Sequence, residues 1–207
     1  VVGYSCGRID RYNLQSGMHR GSYTEGGHES AVYGVVVDAL NEVMVSGGYD
    51  GNVLFWDFEK KVVKGRLSLD SPVNQLVLNR EGGLLLVSTD ELKVLVIDIS
   101  SRKIVRSFQG HTNRITDVAI SPDGRWVVSV SADCTMMVFD IPSASLIDWL
   151  KFDQAVTGVS FSPSGDFVCT SLAGSLGVYL WSNRGHFEGV FLGSAKPQQP
   201  IKMRLPG

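Results

Sequence analysis

Cysteine is scarce in this chain, which has three cysteines among 207 residues. Cys6, Cys134 and Cys169 lie far apart and form no C-x-x-C pair, so the sequence suggests neither a disulfide framework nor a zinc site. We expect buried or half-buried free thiols of the kind found in a reducing compartment.

Net charge is small as well: it is −2 at pH 7, and the sequence pI is near 6.1. Such a chain has no overall field that would attract nucleic acid or an anionic membrane, so any such contact must be local. No apolar run approaches the roughly 18 residues that a membrane-spanning helix requires. Proline is rare, with 7 residues against 23 glycines, which favours many tight turns over a disordered linker.

Motifs for catalysis and ligand binding are also absent. The four histidines, His19, His28, His111 and His186, are scattered along the chain. There is no H-E-x-x-H, no G-x-S-x-G and no phosphate-binding glycine loop. No segment shows the 3.6-residue apolar period of an amphipathic helix. The sequence therefore predicts that the protein is not an enzyme and has no cofactor, bound metal or small-molecule substrate.

What the sequence does contain is a repeat of strand-ending residue pairs at intervals of 44, 41, 42 and 42 residues. The pairs are Tyr12-Asn13, Trp56-Asp57, Ile97-Asp98, Phe139-Asp140 and Trp181-Ser182. A fixed period in the low forties, closing on an aromatic or apolar residue plus Asp, is typical of a four-stranded propeller blade. The predicted fold is all-β.

Each repeat contains alternating apolar runs of the length expected for half-buried strands. The predicted strands are 31–37, 43–47, 53–58 and 62–67; 73–78, 84–88, 94–99 and 104–108; 115–120, 126–130, 136–141 and 145–151; 156–161, 167–171 and 177–181; and, from a preceding blade, 8–13 and 18–23. We expect a partial propeller of about four and a half blades over 1–183, with blades ending near 13, 57, 98, 140 and 182. An exit strand and tail over 184–207 should lead toward a further carboxy-terminal region.

Two of the repeats share a set of polar and aromatic residues at fixed spacing. The members are His28, Ser46, Asp50 and Trp56 in one repeat and His111, Ser129, Asp133 and Phe139 in the other. With this pattern the chain resembles a WD-repeat β-propeller, in which such side chains form a buried hydrogen-bonded network. Because buried polar groups cost free energy unless they are paired, the resemblance implies a structural role for them rather than a catalytic triad. Phenylalanine has no N–H, so the second network should have three members.

The other two repeats diverge at these positions. The repeat that ends at Ile97 has apolar residues at the histidine and serine positions and should lack the network. The last repeat keeps Ser171 and Trp181, with Asp153 and Ser175 at the histidine and aspartate positions. We therefore expect at most a partial network there.

Basic residues gather around the hairpins between third and fourth strands. They are Arg20, Lys60, Lys61, Lys64, Arg66, Arg102, Lys103 and Arg106. Arg20, Lys64 and Arg106 occupy the same repeat position, so they should line up on neighbouring outer strands. Such side chains can deter pairing of exposed strand edges, or they can bind the phosphates of an RNA or an acidic partner. Aromatic residues do not alternate with them, so base stacking is not indicated.

The loops that join one predicted blade to the next share one face by symmetry. They are 25–30, 70–71, 110–113 and 153–154. Because loops on a rigid scaffold often carry recognition, this face is where we expect peptides or partner proteins to bind. The sequence points to no particular contact residue within it.

The residues of three segments make the resemblance more specific. The segments are 12–23 (YNLQSGMHRGSY), 102–126 (RKIVRSFQGHTNRITDVAISPDGRW) and 162–183 (SPSGDFVCTSLAGSLGVYLWSN). With them, residues 3–183 resemble the carboxy-terminal propeller of a WD-repeat family of the small-subunit processome, known as U-three-associated protein twenty-one or WD-repeat protein thirty-six. The family's ring has seven blades, so this chain alone should form an open arc.

The resemblance implies a non-catalytic scaffold for protein interactions in ribosome biogenesis, located in the nucleus and its nucleolus. The implied partners are other processome proteins, including other WD-repeat subunits, the U-three small nucleolar ribonucleoprotein and pre-ribosomal RNA. The resemblance leaves open whether the RNA is contacted directly, and it implies no membrane partner.

The alternative interpretation is a substrate receptor of a ubiquitin ligase, or another generic protein-binding propeller. Such receptors usually carry W-D-x-R at a blade end. Here Glu59 occupies the arginine position after Trp56-Asp57, and Ser182 replaces the aspartate after Trp181, which disfavours this class of receptor. A propeller enzyme or a metal-binding propeller is disfavoured by the lack of clustered carboxylate and histidine ligands.

Overall fold

The computed structural model describes residues 1–79, 81–182 and 197–203, and every regular element in that part of the chain is a β-strand. The strands are β1 (Val2–Gly3), β2 (Ile9–Tyr12), β3 (His19–Tyr23), β4 (Val32–Val37), β5 (Val43–Gly48), β6 (Asn52–Asp57), β7 (Val63–Ser68), β8 (Val73–Asn79), β9 (Leu84–Thr89), β10 (Val94–Asp98), β11 (Lys103–Phe108), β12 (Ile115–Ile120), β13 (Trp126–Ser131), β14 (Thr135–Asp140), β15 (Ser145–Lys151), β16 (Val156–Phe161), β17 (Phe167–Leu172), β18 (Val178–Ser182) and β19 (Ile201–Lys202). The all-β prediction is confirmed, and every strand predicted up to residue 182 is present with its ends within one residue of the prediction.

The strands form five sheets, and apart from β19 each strand lies beside its neighbours along the chain. The orders are β1-β2-β3, β4-β5-β6-β7, β11-β10-β9-β8, β12-β13-β14-β15-β19 and β16-β17-β18. Successive strands pair antiparallel, as in β4 with β5 and β13 with β14. This sequential antiparallel order is the arrangement of propeller blades. β1 adds a strand to the two that the sequence predicts ahead of the first complete blade.

The chain divides into two compact units, one formed by Val1–Glu91 and Val96–Val105 and the other by Leu92–Leu95 and Arg106–Gly207. We call them the first and the second unit. The first unit has a core cluster of Ile9, Tyr23, Met44, Leu54 and Trp56, all fully buried. The second unit has its own cluster, made of Ala119, Val128, Val130, Met136, Phe152, Val156, Val159, Val168 and Leu172. Because burying each large apolar side chain stabilises a fold by roughly 1.5–3 kcal/mol, these clusters hold the sheets together.

A β-bulge occurs at the same position in the first strand of four successive sheets, which are β4, β8, β12 and β16. The register shifts between Val32 and Gly34, Val73 and Gln75, Ile115 and Asp117, and Val156 and Gly158. The residue in between, such as Tyr33, has no partner in the ladder, and a bulge redirects its side chain. The recurrence of the bulge supports the alignment of the repeats.

The aspartate that closes a repeat caps the turn between the third and fourth strands. Asp57 Oδ1 accepts hydrogen bonds from the backbone N–H groups of Lys60 at 2.8 Å and Glu59 at 3.1 Å. Four residues after each cap the backbone has a positive φ: 64° at Gly17, 59° at Lys61, 56° at Arg102 and 54° at Ala144. The closing Asp, or Asn13 in the first of these turns, therefore stabilises the turn, since its side-chain oxygen accepts hydrogen bonds from N–H groups that the hairpin would leave unpaired.

The described part of the predicted tail, residues 197–203, extends an earlier sheet. Ile201 and Lys202 pair in parallel with Leu150 and Lys151 of β15, and the Met203 N–H donates to the Lys151 carbonyl at 2.8 Å. A fifth strand thus covers the edge that β15 would otherwise expose. The exit strand that the sequence predicts directly after residue 183 lies outside the described residues.

Candidate functional site

Four side chains of the β4–β7 sheet form a continuous hydrogen-bonded network. The Trp56 indole Nε1–H donates to Ser46 Oγ at 2.8 Å, and Ser46 Oγ lies 2.8 Å from His28 Nε2. At the other side of the ring, His28 Nδ1 lies 3.0 Å from Asp50 Oδ1. Ser46 and Trp56 are fully buried, and His28 is 8% exposed. The loop before β4 is thereby tied to β5, to β6 and to the turn between them.

The partners define where the protons lie in this network. A carboxylate only accepts hydrogen bonds, so His28 Nδ1 carries a proton and donates it to Asp50. On the other side of the ring, Ser46 Oγ bonds to His28 Nε2 and also accepts the N–H of Trp56, which completes the chain of hydrogen bonds.

The carboxylate of Asp50 is held by the backbone as well. It accepts hydrogen bonds from the N–H of Asn52 at 3.1 Å and of Glu29 at 3.3 Å. Burial disfavours its charged form, but the hydrogen bonds from Asn52 and His28 outweigh burial and hold the pKa of Asp50 below its ordinary value. A Cβ on Gly48 would lie 2.6 Å from both Asp50 Oδ1 and His28 Nδ1, so the network leaves no room for a side chain there.

The β12–β15 sheet has a related network with a different fourth member. His111 Nε2 lies 2.8 Å from Ser129 Oγ, and His111 Nδ1 lies 3.2 Å from Asp133 Oδ2 and 3.1 Å from Thr135 Oγ1. Burial disfavours the charged form of Asp133, but hydrogen bonds from His111 and Thr135 outweigh it and hold the pKa of Asp133 well below its ordinary value. Sequence reasoning missed Thr135; its signal is a polar residue two positions after the network aspartate, where the other repeat has Asn52.

The last sheet uses a different residue from the one the sequence suggests. Trp181 Nε1–H donates to Thr170 Oγ1 at 2.9 Å, whereas Ser171 Oγ lies 2.9 Å from the exposed Thr157 hydroxyl. The assignment of Ser171 to the serine position is therefore wrong by one residue. The reason is the turn between β17 and β18, which spans 173–177, against 49–51 between β5 and β6. Because of the longer turn, the hydroxyl residue that bonds to the tryptophan lies 11 positions before it in the last sheet, as Thr170 does before Trp181, and not 10, as Ser46 does before Trp56.

The same shift changes the histidine position. Phe152, 2% exposed, takes it in place of Asp153, and its ring meets Trp181 edge to face with centroids 5.7 Å apart. An aromatic contact thus replaces the imidazole hydrogen bond. In the β8–β11 sheet the serine position holds Val87, fully buried, in line with the expected loss of the network.

The His–Ser–Asp grouping has the residue types of a hydrolase triad but is closed to substrate. A nucleophilic serine must reach a substrate atom, yet Ser46 is fully buried and its hydroxyl contacts both His28 and Trp56. Among residues 1–79, 81–182 and 197–203, no group of three or more His, Cys, Asp or Glu side chains could hold a metal ion. Within the same residues, no helix is long and apolar enough to cross a membrane.

Two of the predicted basic residues contact the neighbouring outer strand of the first unit. Lys61 Nζ donates to the Arg20 carbonyl oxygen at 2.7 Å, and Arg102 Nη1 donates to the Lys64 carbonyl oxygen at 2.5 Å. Both donors occupy the positive-φ position of the turn between third and fourth strands. The two side chains link one sheet to the next by bonding to backbone carbonyl oxygens, which are present in every outer strand.

Glycines make room for these two contacts. A Cβ on Gly65 would lie 2.8 Å from Arg102 Nη1, and a Cβ on Gly21 would collide with the Lys61 ammonium group. Gly21 and Gly65 each follow the residue whose carbonyl accepts the hydrogen bond. The contact therefore needs a glycine as well as a cation, a pairing that sequence reasoning missed.

In the second unit the direction of the contact is reversed. Ala144 takes the positive-φ position and has no donor in its side chain. Arg106 of β11 instead reaches the carbonyl oxygens of Ile141 at 2.8 Å and Pro142 at 3.1 Å. The same link is made from the other strand.

The remaining basic residues divide into bound and exposed ones. Arg66 Nη2 donates to the Gly26 carbonyl at 3.0 Å, and Lys64 Nζ lies 3.1 Å from Asp57 Oδ2. Three others are exposed, and their charged groups have no hydrogen-bond partner among the described residues: Arg20, Lys60 and Lys103. The structure thus uses most of the predicted basic set inside the protein.

Comparison with known proteins gives a consistent result over the whole chain. The family model described as the WDR36/Utp21 second beta-propeller domain matches residues 1–206.

WD repeat-containing protein 36 of Homo sapiens is 46% identical over 209 residues, which cover 100% of this chain and 23% of that protein. U3 small nucleolar RNA-associated protein 21 of Saccharomyces cerevisiae is 40% identical over 205 residues, 99% of this chain and 22% of that protein. The Schizosaccharomyces pombe homolog of protein 21 is 31% identical over 207 residues, 100% of this chain and 23% of that protein. The chain thus spans less than a quarter of the length of these curated relatives.

Proposed function

The chain belongs to the WDR36/Utp21 second beta-propeller domain family, and from this premise we propose that it is a non-catalytic scaffold of a U3 small nucleolar RNA-associated assembly in ribosome biogenesis. The proposed role is in the assembly of the small-subunit processome and in the processing of pre-ribosomal RNA. The observation that carries the proposal is similarity over essentially the entire chain to proteins whose names state an association with U3 small nucleolar RNA. Similarity to a generic WD repeat would cover only part of the chain.

The chemistry of the described residues supports a scaffold. The side chains that resemble catalytic groups are buried and hydrogen-bonded to one another, as His28 and Ser46 show. Rigid sheets that carry variable loops offer binding surfaces without a reaction centre. In this proposal residues 1–183 form the partial propeller, and 184–207 connect it to the rest of the protein.

The proposed partners are other processome proteins, among them WD-repeat subunits, in the nucleus and nucleolus. The association with the U3 ribonucleoprotein and pre-ribosomal RNA runs mainly through these proteins. The basis for this is the use of Lys61, Arg102 and Arg106 in hydrogen bonds to backbone carbonyls. Cations that are already bound are less available to phosphates.

Affinity purification of the intact protein from nuclear extract tests the proposal. We expect recovery of U3 small nucleolar RNA together with processome proteins, and we expect depletion of the protein to cause accumulation of unprocessed pre-ribosomal RNA. A version with this chain deleted should lose the RNA. Recovery of ubiquitin-ligase adaptors without nucleolar RNA, or normal processing after depletion, would overturn it.

A further inference from the structure

Two large aromatic side chains of the first unit lie side by side on the surface. Tyr33, the bulge residue of β4, is 56% exposed, and Tyr49, in the turn between β5 and β6, is 52% exposed. Their ring centroids are 6.1 Å apart and their planes are inclined by 57°. The fold does not require this pair, because the matching positions of other repeats are small or polar: Asn74 and Asp90, Thr116 and Ala132, Thr157 and Ala173.

The tyrosines belong to a continuous strip in which loops alternate with turns. The loop before β4 lies against the turn after β1, where a Cβ on Gly7 would be 3.1 Å from the Ser30 carbonyl oxygen. The loop before β8 lies against the turn that holds Tyr49, since the Leu69 N–H donates to the Gly51 carbonyl at 2.7 Å. We call residues 4–7, 28–33, 48–51, 69–72 and 90–91 the loop strip. All of them lie in the first unit, at the end of the sheets opposite the closing-aspartate turns.

The charge of the loop strip is negative. Glu29, Asp70 and Asp90 are exposed and form no ion pair among the described residues. Two arginines close to the strip in sequence are already bound, Arg8 to Asp10 at 2.9 Å and Arg66 to the carbonyl of Gly26 at 3.0 Å. The loop strip that carries the tyrosine pair therefore also carries unpaired carboxylates.

We infer that the loop strip binds an arginine-rich segment of a partner protein, with guanidinium groups on the faces of Tyr33 and Tyr49 and flanking cations near Glu29, Asp70 and Asp90. A guanidinium over an aromatic face gains roughly 0.5–1 kcal/mol at an exposed site and more when water is excluded. Arginine suits the strip better than lysine, because its planar, weakly hydrated group stacks on rings and pairs with carboxylates at the same time. The carboxylates would also speed the encounter with a cationic segment.

The same charges argue against RNA as the occupant. Base stacking on the tyrosines would bring phosphates close to the unpaired carboxylates, where like charges repel. Known single-strand sites combine aromatic residues with cations rather than with acids. The inference rests on the geometry and charge of the strip, so it stands or falls separately from the proposed role in ribosome biogenesis.

Fluorescence anisotropy on the intact protein tests it with three labelled probes: a peptide of alternating Arg and Gly, a matched peptide of alternating Glu and Gly, and a single-stranded oligouridylate. We expect saturable binding of the Arg-Gly peptide that weakens as salt rises, and no binding of the Glu-Gly peptide. Tighter binding of the oligouridylate to the same strip, abolished by loss of the tyrosines, would overturn the inference.

Variants locate the binding on the strip. The double variant Tyr33→Ala/Tyr49→Ala should lower peptide affinity roughly tenfold, because two cation–π contacts are lost. Glu29→Gln/Asp70→Asn should also weaken binding and make it less sensitive to salt. The matched control is Glu42→Gln/Glu81→Gln, which removes two exposed carboxylates from turns at the opposite end of the same sheets. Unchanged affinity in the tyrosine variant, or an equal loss in the control, would refute the assignment.

Discussion

Lys61 donates a hydrogen bond from its ammonium group to the carbonyl oxygen of Arg20, 2.7 Å away on the outer strand of the neighbouring sheet. The equivalent contact recurs between Arg102 and Lys64 at 2.5 Å. From the sequence alone, these basic residues have two interpretations: they deter the pairing of exposed strand edges, or they bind phosphates. In the structure, the side chains of Lys61 and Arg102 donate hydrogen bonds to the neighbouring sheet. Arg20 and Lys64 take part in these two contacts through their backbone carbonyl oxygens.

The first prediction concerns Lys61 and its sequence neighbour. Lys61→Ala should lower the free energy of unfolding by about 1 kcal/mol, because it leaves the Arg20 carbonyl without its donor. Lys60→Ala removes an equal charge from an exposed side chain without a partner and should change stability by less than about 0.5 kcal/mol. Urea unfolding of both variants measures the difference. Equal effects would mean that charge alone, and not the contact, matters.

The second prediction compares the two buried networks. Ser46→Ala leaves both the Trp56 N–H and His28 Nε2 without a partner, whereas Ser129→Ala affects only His111 because Phe139 has no N–H. Each stranded buried group costs roughly 1–3 kcal/mol, so Ser46→Ala should be the more damaging by about one such contribution. Urea unfolding, with tryptophan fluorescence as the probe, can rank the two variants. The reverse ranking would contradict the described hydrogen bonds.

The third prediction tests the register of the last sheet. Thr170→Val keeps the shape of the side chain but removes the acceptor of the Trp181 N–H, and should cost roughly 1–3 kcal/mol. Ser171→Ala breaks only a contact with the exposed Thr157 and should cost less than about 1 kcal/mol. Hydrogen exchange in β17 and β18 of the intact protein reports both effects locally. A larger effect at Ser171 would favour the register deduced from sequence spacing.

The fourth prediction is a loss of stability in acid. The pKa values of Asp50 and Asp133 are lower in the folded protein than in the unfolded chain. As pH falls, the unfolded chain therefore takes up protons first, and the stability that these carboxylates provide, complete above about pH 5, is lost progressively below it. Asp10, whose pKa is lowered to about 2 by hydrogen bonds from Ser22 and Arg8 that outweigh the effect of burial, contributes in the same direction.

Asp133→Asn isolates one part of this effect. An amide oxygen can still accept from His111, but it does not titrate, so the variant should be less stable at neutral pH and should lose less stability between neutral pH and about pH 3. Urea midpoints across this range give the comparison. A pH dependence identical to that of the unaltered protein would show that Asp133 is not among the groups responsible.

Much of the fold follows from local patterns. Alternating apolar runs, turn residues and the recurring closing pair place all the predicted strands within one residue, because each strand's pattern reflects which of its faces is buried. The short strands at 2–3 and 201–202 are the exceptions. Nothing in the two residues Ile201 and Lys202 specifies a parallel pairing with Leu150 and Lys151, which depends on two segments distant in sequence meeting in space.

The candidate site shows the same division. His28, Ser46, Asp50 and Trp56 can be found by counting, since the turn within their repeat has the ordinary length. Equal spacing between repeats does not find Thr170, because a longer turn moves the residue that bonds to Trp181 by one position. It also misses Thr135, whose role appears only when its hydroxyl is seen beside His111.

By itself, the sequence determined the repeat, the all-β class, the family and, apart from Thr135, the residues of the two histidine networks, because these depend on patterns that each segment carries alone. The tertiary structure decided which cations are bound and which are exposed. It also brought Tyr33 and Tyr49 together, although they lie on different sequence segments. Hydrogen bonds such as that from Lys61 to Arg20 join a side chain to a backbone carbonyl, and every residue has such a carbonyl, so the identity of the acceptor residue does not mark the contact.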